Sequence, residues 1–364
     1  MDLHLPRTGS LRRAGLVIGV MAALVVPATA SAATKTVIAG PLKEAKGVFG
    51  GNATGDVDGY SLKTVTVHVG DKVRWKFNGF HTVTFPKKGS GAIPFVVPDA
   101  SAKYSGINDA AGSPFWFNGQ TQLDLNPLGA LPQGGKTENG TQLNGSGLPQ
   151  GKAKPYTLKF TKVGTFTYFC VIHPGMKARV KVLPKGKKIP SERQDRKTAL
   201  RIFKAEVKAA KKQAKFTPAA NTVQGGNDKG NVVQLRFFPQ SVKVPVGGAV
   251  TFQVKSLPEI HTFAFGPAAS LQQLASAFIN PVPNAAGPPT LALNGQVVFP
   301  SDPPPALPPY DGTAHGNGFF STGILDGDPA SPQPSSAKIT FTKAGTYSFI
   351  CLIHPFMHGQ VVVG

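Results

Sequence analysis

The chain repeats itself once, at a spacing of about 180 of its 364 residues. Phe80-His81-Thr82-Val83-Thr84-Phe85 returns as Ile260-His261-Thr262-Phe263-Ala264-Phe265, an offset of 180 residues between His81 and His261. Phe160-Thr161-Lys162-Val163-Gly164-Thr165-Phe166 through Cys170 returns as Phe341-Thr342-Lys343-Ala344-Gly345-Thr346-Tyr347 through Cys351, an offset of 181 between the cysteines. A fainter echo, Asn118-Gly119-Gln120 and Asn294-Gly295-Gln296, falls between these blocks. Solenoid repeats run to about 50 residues, so a period this long means two duplicated domains. Each is large enough to bury its own core.

Within each copy, Thr64-Val65-Thr66-Val67-His68-Val69 and Ser241-Val242-Lys243-Val244-Pro245-Val246 alternate as half-buried strands ending at glycine turns. Further strands are expected at 72–77 and 249–254, and out of the cysteine loops at 178–183 and 359–363. With 42 glycines and 33 prolines punctuating Val/Thr/Phe runs, the chain reads as all-β with long loops. The spans 86–154 and 266–336 exceed what a hairpin needs and are expected to be ordered excursions over the site. Between the copies, 191–215 reads as a helix capped by Ser191, with Leu200, Phe203, Val207, Ala210 and Ala214 as its apolar stripe. Pro218 and Gly225-Gly226 close that linker. The resulting division is a signal peptide at 1–32, a first domain at 33–184, a basic helical linker at 185–230 and a second domain at 231–364.

Each cysteine opens a Cys-x2-His-x2-Met loop: Cys170, His173 and Met176 in the first copy, Cys351, His354 and Met357 in the second. With His81 or His261 from a distant strand, each copy offers a thiolate, two imidazoles and a thioether. That is the trigonal His2Cys set with a weak axial methionine of a type 1 copper site, which cycles between Cu(I) and Cu(II) with little rearrangement. A disulfide between Cys170 and Cys351 leaves the repeated His and Met unexplained, and a thioether suits copper better than zinc.

These loops, with Tyr168-Phe169 before the first and His358-Gly359-Gln360-Val361-Val362-Val363 after the second, resemble the copper loop of plastocyanin/amicyanin-like cupredoxins. The short Cys-to-Met spacing is most similar to amicyanin. The resemblance covers about 64–81 and 156–183 and their counterparts. It implies two tandem cupredoxin-like Greek-key β-sandwiches joined by a helical linker, with one type 1 copper in each. It also implies that His173 and His354 act as electron ports, either through an apolar patch of Ile172, Pro174, Ile353, Pro355 and Phe356, or beneath the excursions or the other domain. The small cupredoxins have no counterpart of the long excursions.

Function then divides into carriage, catalysis and storage. Of eight histidines, four are used as ligands and His4 lies in the leader, leaving His68, His315 and His358. Multicopper oxidases build their trinuclear cluster largely from His-x-His pairs, and the chain has none. Copper nitrite reductases place a histidine beside the type 1 cysteine; here the flanking residues are Phe169 and Val171, and Ile350 and Leu352. The remaining histidines read as surface or supporting residues. Copper storage or delivery favours Met-rich clusters, whereas the chain has four methionines. Electron carriage between redox partners is the preferred reading, with a copper oxidoreductase or a storage protein as alternatives.

Arg7, Arg12 and Arg13, the apolar run 16–26 and Ala30-Ser31-Ala32 form a signal peptide, so the protein is expected to be periplasmic or extracellular. Arg12-Arg13 leaves both the general and the twin-arginine route open. No transmembrane segment is expected after cleavage. The formal charge is +21, and residues 185–215 hold twelve Lys/Arg against Glu192, Asp195 and Glu206. This reads first as a solvated helix face, the other reading being contact with an acidic redox partner or an anionic surface, and no motif suggests nucleic acid. Sequons at Asn52, Asn139 and Asn144 are expected on exposed loops.

Overall fold

Alternating Val, Trp and Phe positions fold into two similar pairs of sheets. The structure is a computed structural model that describes residues 32–45, 55–151, 153–282 and 290–364. The leader and Asn52 therefore lie outside the described residues.

In the first half, strand Thr34–Ala39 runs parallel to Lys72–Phe77, which pairs antiparallel with Tyr156–Phe160. The facing sheet is ordered Thr64–His68, Lys177–Leu183, Gly164–Phe169, Thr84–Phe85, Asn144–Gly145. The second half repeats this plan. Thr222–Gly225 runs parallel to Ala249–Val254, which pairs with Ser336–Thr340. Its facing sheet is ordered Ser241–Val244, His358–Val363, Gly345–Ile350, Ala264–Phe265, Phe320–Ser321. The strands expected at 72–77 and 249–254 appear at the same bounds, and in each every second side chain enters the core.

Each sandwich closes on aromatic rings. Trp75, fully buried, meets Phe85, Phe160 and Tyr168 in the first core, and Phe252 meets Phe263, Phe265 and Phe349 in the second. Off-centre and edge-on ring contacts of this kind add about 0.5–1.5 kcal/mol each to the burial of the rings.

Three features tie the halves together within the compact unit 33–364. Asp56–Val57 pairs antiparallel with Val232–Val233, and the amide of Asp58 donates to the carbonyl of Asn231 at 2.7 Å. The excursions also merge: Val96–Lys103, Thr121–Leu125, Thr290–Leu293 and Ile279–Val282 form one four-stranded sheet with both halves contributing. His315 fastens the excursions further, with Nδ1 3.2 Å from Asp109 and Nε2 3.3 Å from Asp302.

The third tie is the helix Glu192–Gln213, capped by Ser191 in a reciprocal box with Gln194. Lys35 pairs with Asp195 at 2.6 Å at its start, while near its end Gln213 and Ala210 hydrogen-bond to Val232 and Gln234. Its buried face is Ala199, Phe203, Ala210 and Gln213, with Leu200 and Val207 half-buried and Ala214 exposed. At its end the expected stripe is turned by one residue, with Gln213 in place of Ala214 and its Nε2 donating to the Val232 carbonyl at 3.3 Å. No described helix is long and apolar enough to cross a membrane.

Other local expectations change. Thr222–Gly225 falls in the span read as linker but is an interior strand of the second half; with all four residues buried, it shows no alternation. The fold-level match to Asn294 is Asn126, not Asn118: Asn126 and Asn294 each cap a four-residue helix by accepting from the second amide beyond them. Asn144 is fully buried and hydrogen-bonded to Glu138, which removes its sequon from the surface.

Candidate metal centres

Strand and loop geometry brings the repeated donors together at one end of each sandwich. Cys170 leaves strand Gly164–Phe169, and the loop closes when its amide donates to the Met176 carbonyl at 3.0 Å and Met176 donates to His173 at 3.1 Å. The second loop closes in the same way through Cys351, Met357 and His354, at 3.2 and 2.8 Å. Both cysteines are free thiols and buried.

In the first cluster, Nδ1 of His81 is 3.1 Å from Nδ1 of His173, which lies 3.6 Å from Sγ of Cys170. In the second, Nδ1 of His261 and Nδ1 of His354 are 3.3 Å apart and lie 3.8 and 3.7 Å from Sγ of Cys351. A first-row ion about 2.0–2.1 Å from each nitrogen and about 2.3 Å from sulfur, in trigonal to tetrahedral geometry, separates nitrogens by about 3.3–3.6 Å and nitrogen from sulfur by about 3.5–3.8 Å. The second triangle fits such an ion, and in the first the nitrogens stand slightly closer together than an ion between them would hold them. Met176 and Met357, 3% and 1% exposed, lie in the same cores as the cysteines.

Burial sets the protonation of these donors. It pushes His81 and His354 down to about 4, and lowers His173 and His261 as well. Each ring is therefore neutral at pH 7 with a free lone pair. Burial raises both thiols, against amide hydrogen bonds from Thr82 and Thr262 that favour the thiolate. Those amides lie 3.4 Å from the sulfurs, and the threonine hydroxyls accept from the amides of Val171 and Leu352 at 2.9 and 2.7 Å. Each threonine follows its histidine in the repeat, and that repetition was the available signal.

Glycines make room for His81 and His261, which lie three residues ahead of strands Thr84–Phe85 and Ala264–Phe265 and not in a strand as expected. A Cβ on Gly79, where φ is +113°, would sit 2.8 Å from Nε2 of His81; one on Gly225 would sit 2.9 Å from Cδ2 of His261.

Carboxylates absent from the sequence-level site surround the rings. Asp56 lies 3.8 Å from Nε2 of His81, and Asp58 lies 3.7 Å from Nδ1 of His173. Glu259 lies 3.5 Å from Nε2 of both His173 and His354. Burial pushes Asp56 to about 6 and Glu259 to about 8, with Asp228 adding to the latter, and raises Asp58. Nothing in the repeat signals these residues: Glu259 stands where the first copy has Gly79, and Asp56 and Asp58 arrive through the strand pairing between halves.

Of the apolar neighbours, Ile353 is covered by clusters from the excursions and Ile172 packs on the first core. His173 is 7% exposed, whereas Pro174 and Phe356 remain at the surface. Of the other histidines, His68 contacts Asp71 and the Lys187 carbonyl, and His358 is exposed.

No family model matches the chain. Over 52 residues it is 46% identical to amicyanin of Paracoccus denitrificans, a stretch covering 13% of this chain and 39% of amicyanin. Part of the chain is thus cupredoxin-like. Among solved structures, the chain is similar to a copper(I) form of an amicyanin variant, at 18% identity over 42% of this chain and 89% of that one, with a TM-score of 0.22. It is also similar to a purple cupredoxin from Nitrosopumilus maritimus, at 16% identity over 40% of this chain and 100% of that one, with a TM-score of 0.20.

Proposed function

We propose that the chain is an exported blue-copper protein that carries electrons between redox partners through two type 1 sites, one in each of two tandem domains. The ligands are His81, Cys170, His173 and Met176 in one site and His261, Cys351, His354 and Met357 in the other. The observation that carries this reading is the recurrence of an Nδ1, Nδ1, Sγ cluster in both halves, of which the second has the dimensions of a first-row ion site. A soft thiolate with a buried thioether selects copper among such ions.

Copper bound there supplies a one-electron couple. The protein's part is to hold three donors on one short loop and the fourth three residues ahead of a strand, so that oxidation changes little in their positions. The amides of Thr82 and Thr262 point at the sulfurs and stabilise thiolate charge. Surface residues around the loops, Phe80, Pro174 and Phe356, offer small apolar landings for a partner. The basic exposed face of helix 192–213 suits an acidic partner or an anionic surface.

The test is copper stoichiometry with an optical spectrum of the protein lacking residues 1–32. Two coppers per chain and an intense thiolate-to-copper charge-transfer band are expected. A colourless protein at full copper loading ends the type 1 assignment, and oxygen or nitrite turnover with a second type of copper signal would replace carriage by catalysis.

A further inference from the structure

We propose that the outward face of helix Glu192–Gln213 is a binding site for a linear polyanion, held by a single row of cations that runs the length of the helix. This goes beyond the copper reading and needs no metal, since the row lies on a surface that neither donor cluster uses.

The helix sorts its charges by face. At 3.6 residues per turn, Arg193, Lys197, Arg201, Lys204, Lys208 and Lys211 fall within an arc of about 80°, and all six are exposed. That arc points away from the buried residues Ala199, Phe203, Ala210 and Gln213. The three acids of the helix, Glu192, Asp195 and Glu206, fall instead on the buried side, within about 40° of its centre. There Asp195 pairs with Lys35 at 2.6 Å, and Glu206 accepts from Asn231 at 3.2 Å. Among the described residues, no carboxylate pairs with any of the six outward cations.

A helix face that serves only solvation mixes the signs, because opposite charges three or four residues apart attract while like charges there destabilise the helix. Here the six cations follow one another at spacings of three or four, so each stands beside another of its own sign. Every acid of the helix is placed where the row cannot use it. Anions supplied from outside remove the repulsion.

The shape of the row selects the occupant. It presents one cation per turn, about every 5.4 Å, over a length of about 27 Å. Through its middle turns the flanks are neutral, with Thr198, Ala205 and Ala209 on one side and Leu200 and Val207 on the other. A row one side chain wide matches a polymer that carries an anion at each repeat; a bilayer spreads its charge over a plane and suits a broad patch. Helices that lie in a membrane interface also turn an apolar face into the lipid, and the apolar face here is already packed on the protein. No aromatic residue stands in the row or its flanks for bases to stack on, so the contact is with charge alone. Residues 231–364 hold five Lys/Arg and five Asp/Glu, so a polyanion is drawn to the first half and the helix, and the row decides where on them it seats.

The test uses the copper-free chain from residue 33 on, a compact unit, with labelled long-chain inorganic polyphosphate as the probe and fluorescence anisotropy read across a range of salt. Each cation engaged on a single-stranded polyanion adds about 0.7 to the slope with which log affinity falls against log salt, so six predict a slope of about −4. Arg201→Gln/Lys204→Gln/Lys208→Gln removes the middle of the row; the slope should drop to about −2 and affinity should fall about 100-fold at about 0.1 M salt. Lys72→Gln/Arg74→Gln/Lys76→Gln removes the same charge from exposed positions of a first-half strand and should leave the slope unchanged. Equal weakening by the two triple variants would overturn the row in favour of net charge. Vesicles of equal parts phosphatidylglycerol and phosphatidylcholine, or a folded acidic protein, bound more tightly per anionic group than polyphosphate and released by the helix variant, would overturn the polymer in favour of that occupant. Absence of polyphosphate binding at about 0.1 M salt would overturn the site altogether. None of these outcomes touches the copper reading, which the copper stoichiometry of the same chain decides.

Discussion

Replacing Gly225 by Ala adds one methyl group to the floor of the second metal site. Gly225 sits inside strand Thr222–Gly225 with an ordinary φ, so the backbone tolerates alanine and any effect comes from space. The added Cβ would lie 2.9 Å from Cδ2 and 3.0 Å from both Cβ and Cγ of His261. Carbon atoms rest about 3.5–4.0 Å apart, so the ring must retreat by about 0.5–1 Å. His261 is fully buried, and such overpacking costs about 1–3 kcal/mol. Metal–donor distances hold to about 0.2 Å, so the retreat breaks the triangle that Nδ1 of His261 makes with His354 and Cys351. Affinity at the second site should fall roughly 10–100-fold, the scale on which loss of ligand support acts. The measurement is copper competition in a Cys170→Ser background, where the second site alone reports, with the charge-transfer band as a second readout. Wild-type affinity and an unchanged spectrum in Gly225→Ala would refute the claim that this glycine sets the position of His261.

Cys170→Ala should lower copper content from two per chain to one, because Cys351, His261 and His354 form their triangle without any atom of the first; atomic absorption and residual colour check it. Thr262→Val keeps the volume but removes the hydroxyl that accepts from Leu352, leaving a buried amide without a partner at a cost of about 1–3 kcal/mol in denaturant unfolding. In mild acid the buried histidines of the copper-free protein should act against the fold, while the raised carboxyls of Asp56 and Glu259 act in its favour. Burial holds His81 and His354 at about 4, below the roughly 6.5 of an unfolded chain, so the unfolded state takes up protons first. Their contribution is fully present above about pH 6.5 and is lost as pH falls toward 4, roughly 2 kcal/mol each between pH 7 and 5. Denaturant melts of the copper-free chain and of a His81→Asn/His354→Asn chain at the two pH values should differ by this histidine contribution, the wild type losing more, or gaining less, between pH 7 and 5 than the double variant.

The donors were legible because the sequence writes them twice. His81 and Cys170 are nearly 90 residues apart, yet their recurrence as His261 and Cys351 gives the spacing a meaning that one copy lacks. The strands at 72–77 and 249–254 were legible for the ordinary reason of alternation. What escaped the sequence lies where the copies differ or touch. Thr222–Gly225 is buried on both faces, so it carries no period, and its glycine looked like linker punctuation when its function is to make room for a ring. Gln213 joins the buried face of the helix with its Nε2 donating to the Val232 carbonyl, which no hydropathy pattern encodes. Asp56 and Asp58 reach the rings beside a strand pairing between distant segments, and Glu259 meets His173 and His354 across the fold, contacts that leave no periodic trace.

The sheet that the excursions share bears on how the chain must be made. Strands Val96–Lys103 and Thr121–Leu125 can form a hairpin as soon as the first half emerges, but one edge of that hairpin is completed only by Thr290–Leu293. Until about 165 further residues have been delivered, Thr121–Leu125 stands as an open strand, the kind of edge on which unrelated chains pair and aggregate. Production of the protein is therefore a race between delivery of its own second half and capture by a neighbour. A truncated first half, however well its sandwich folds, is expected to lose that race by self-association.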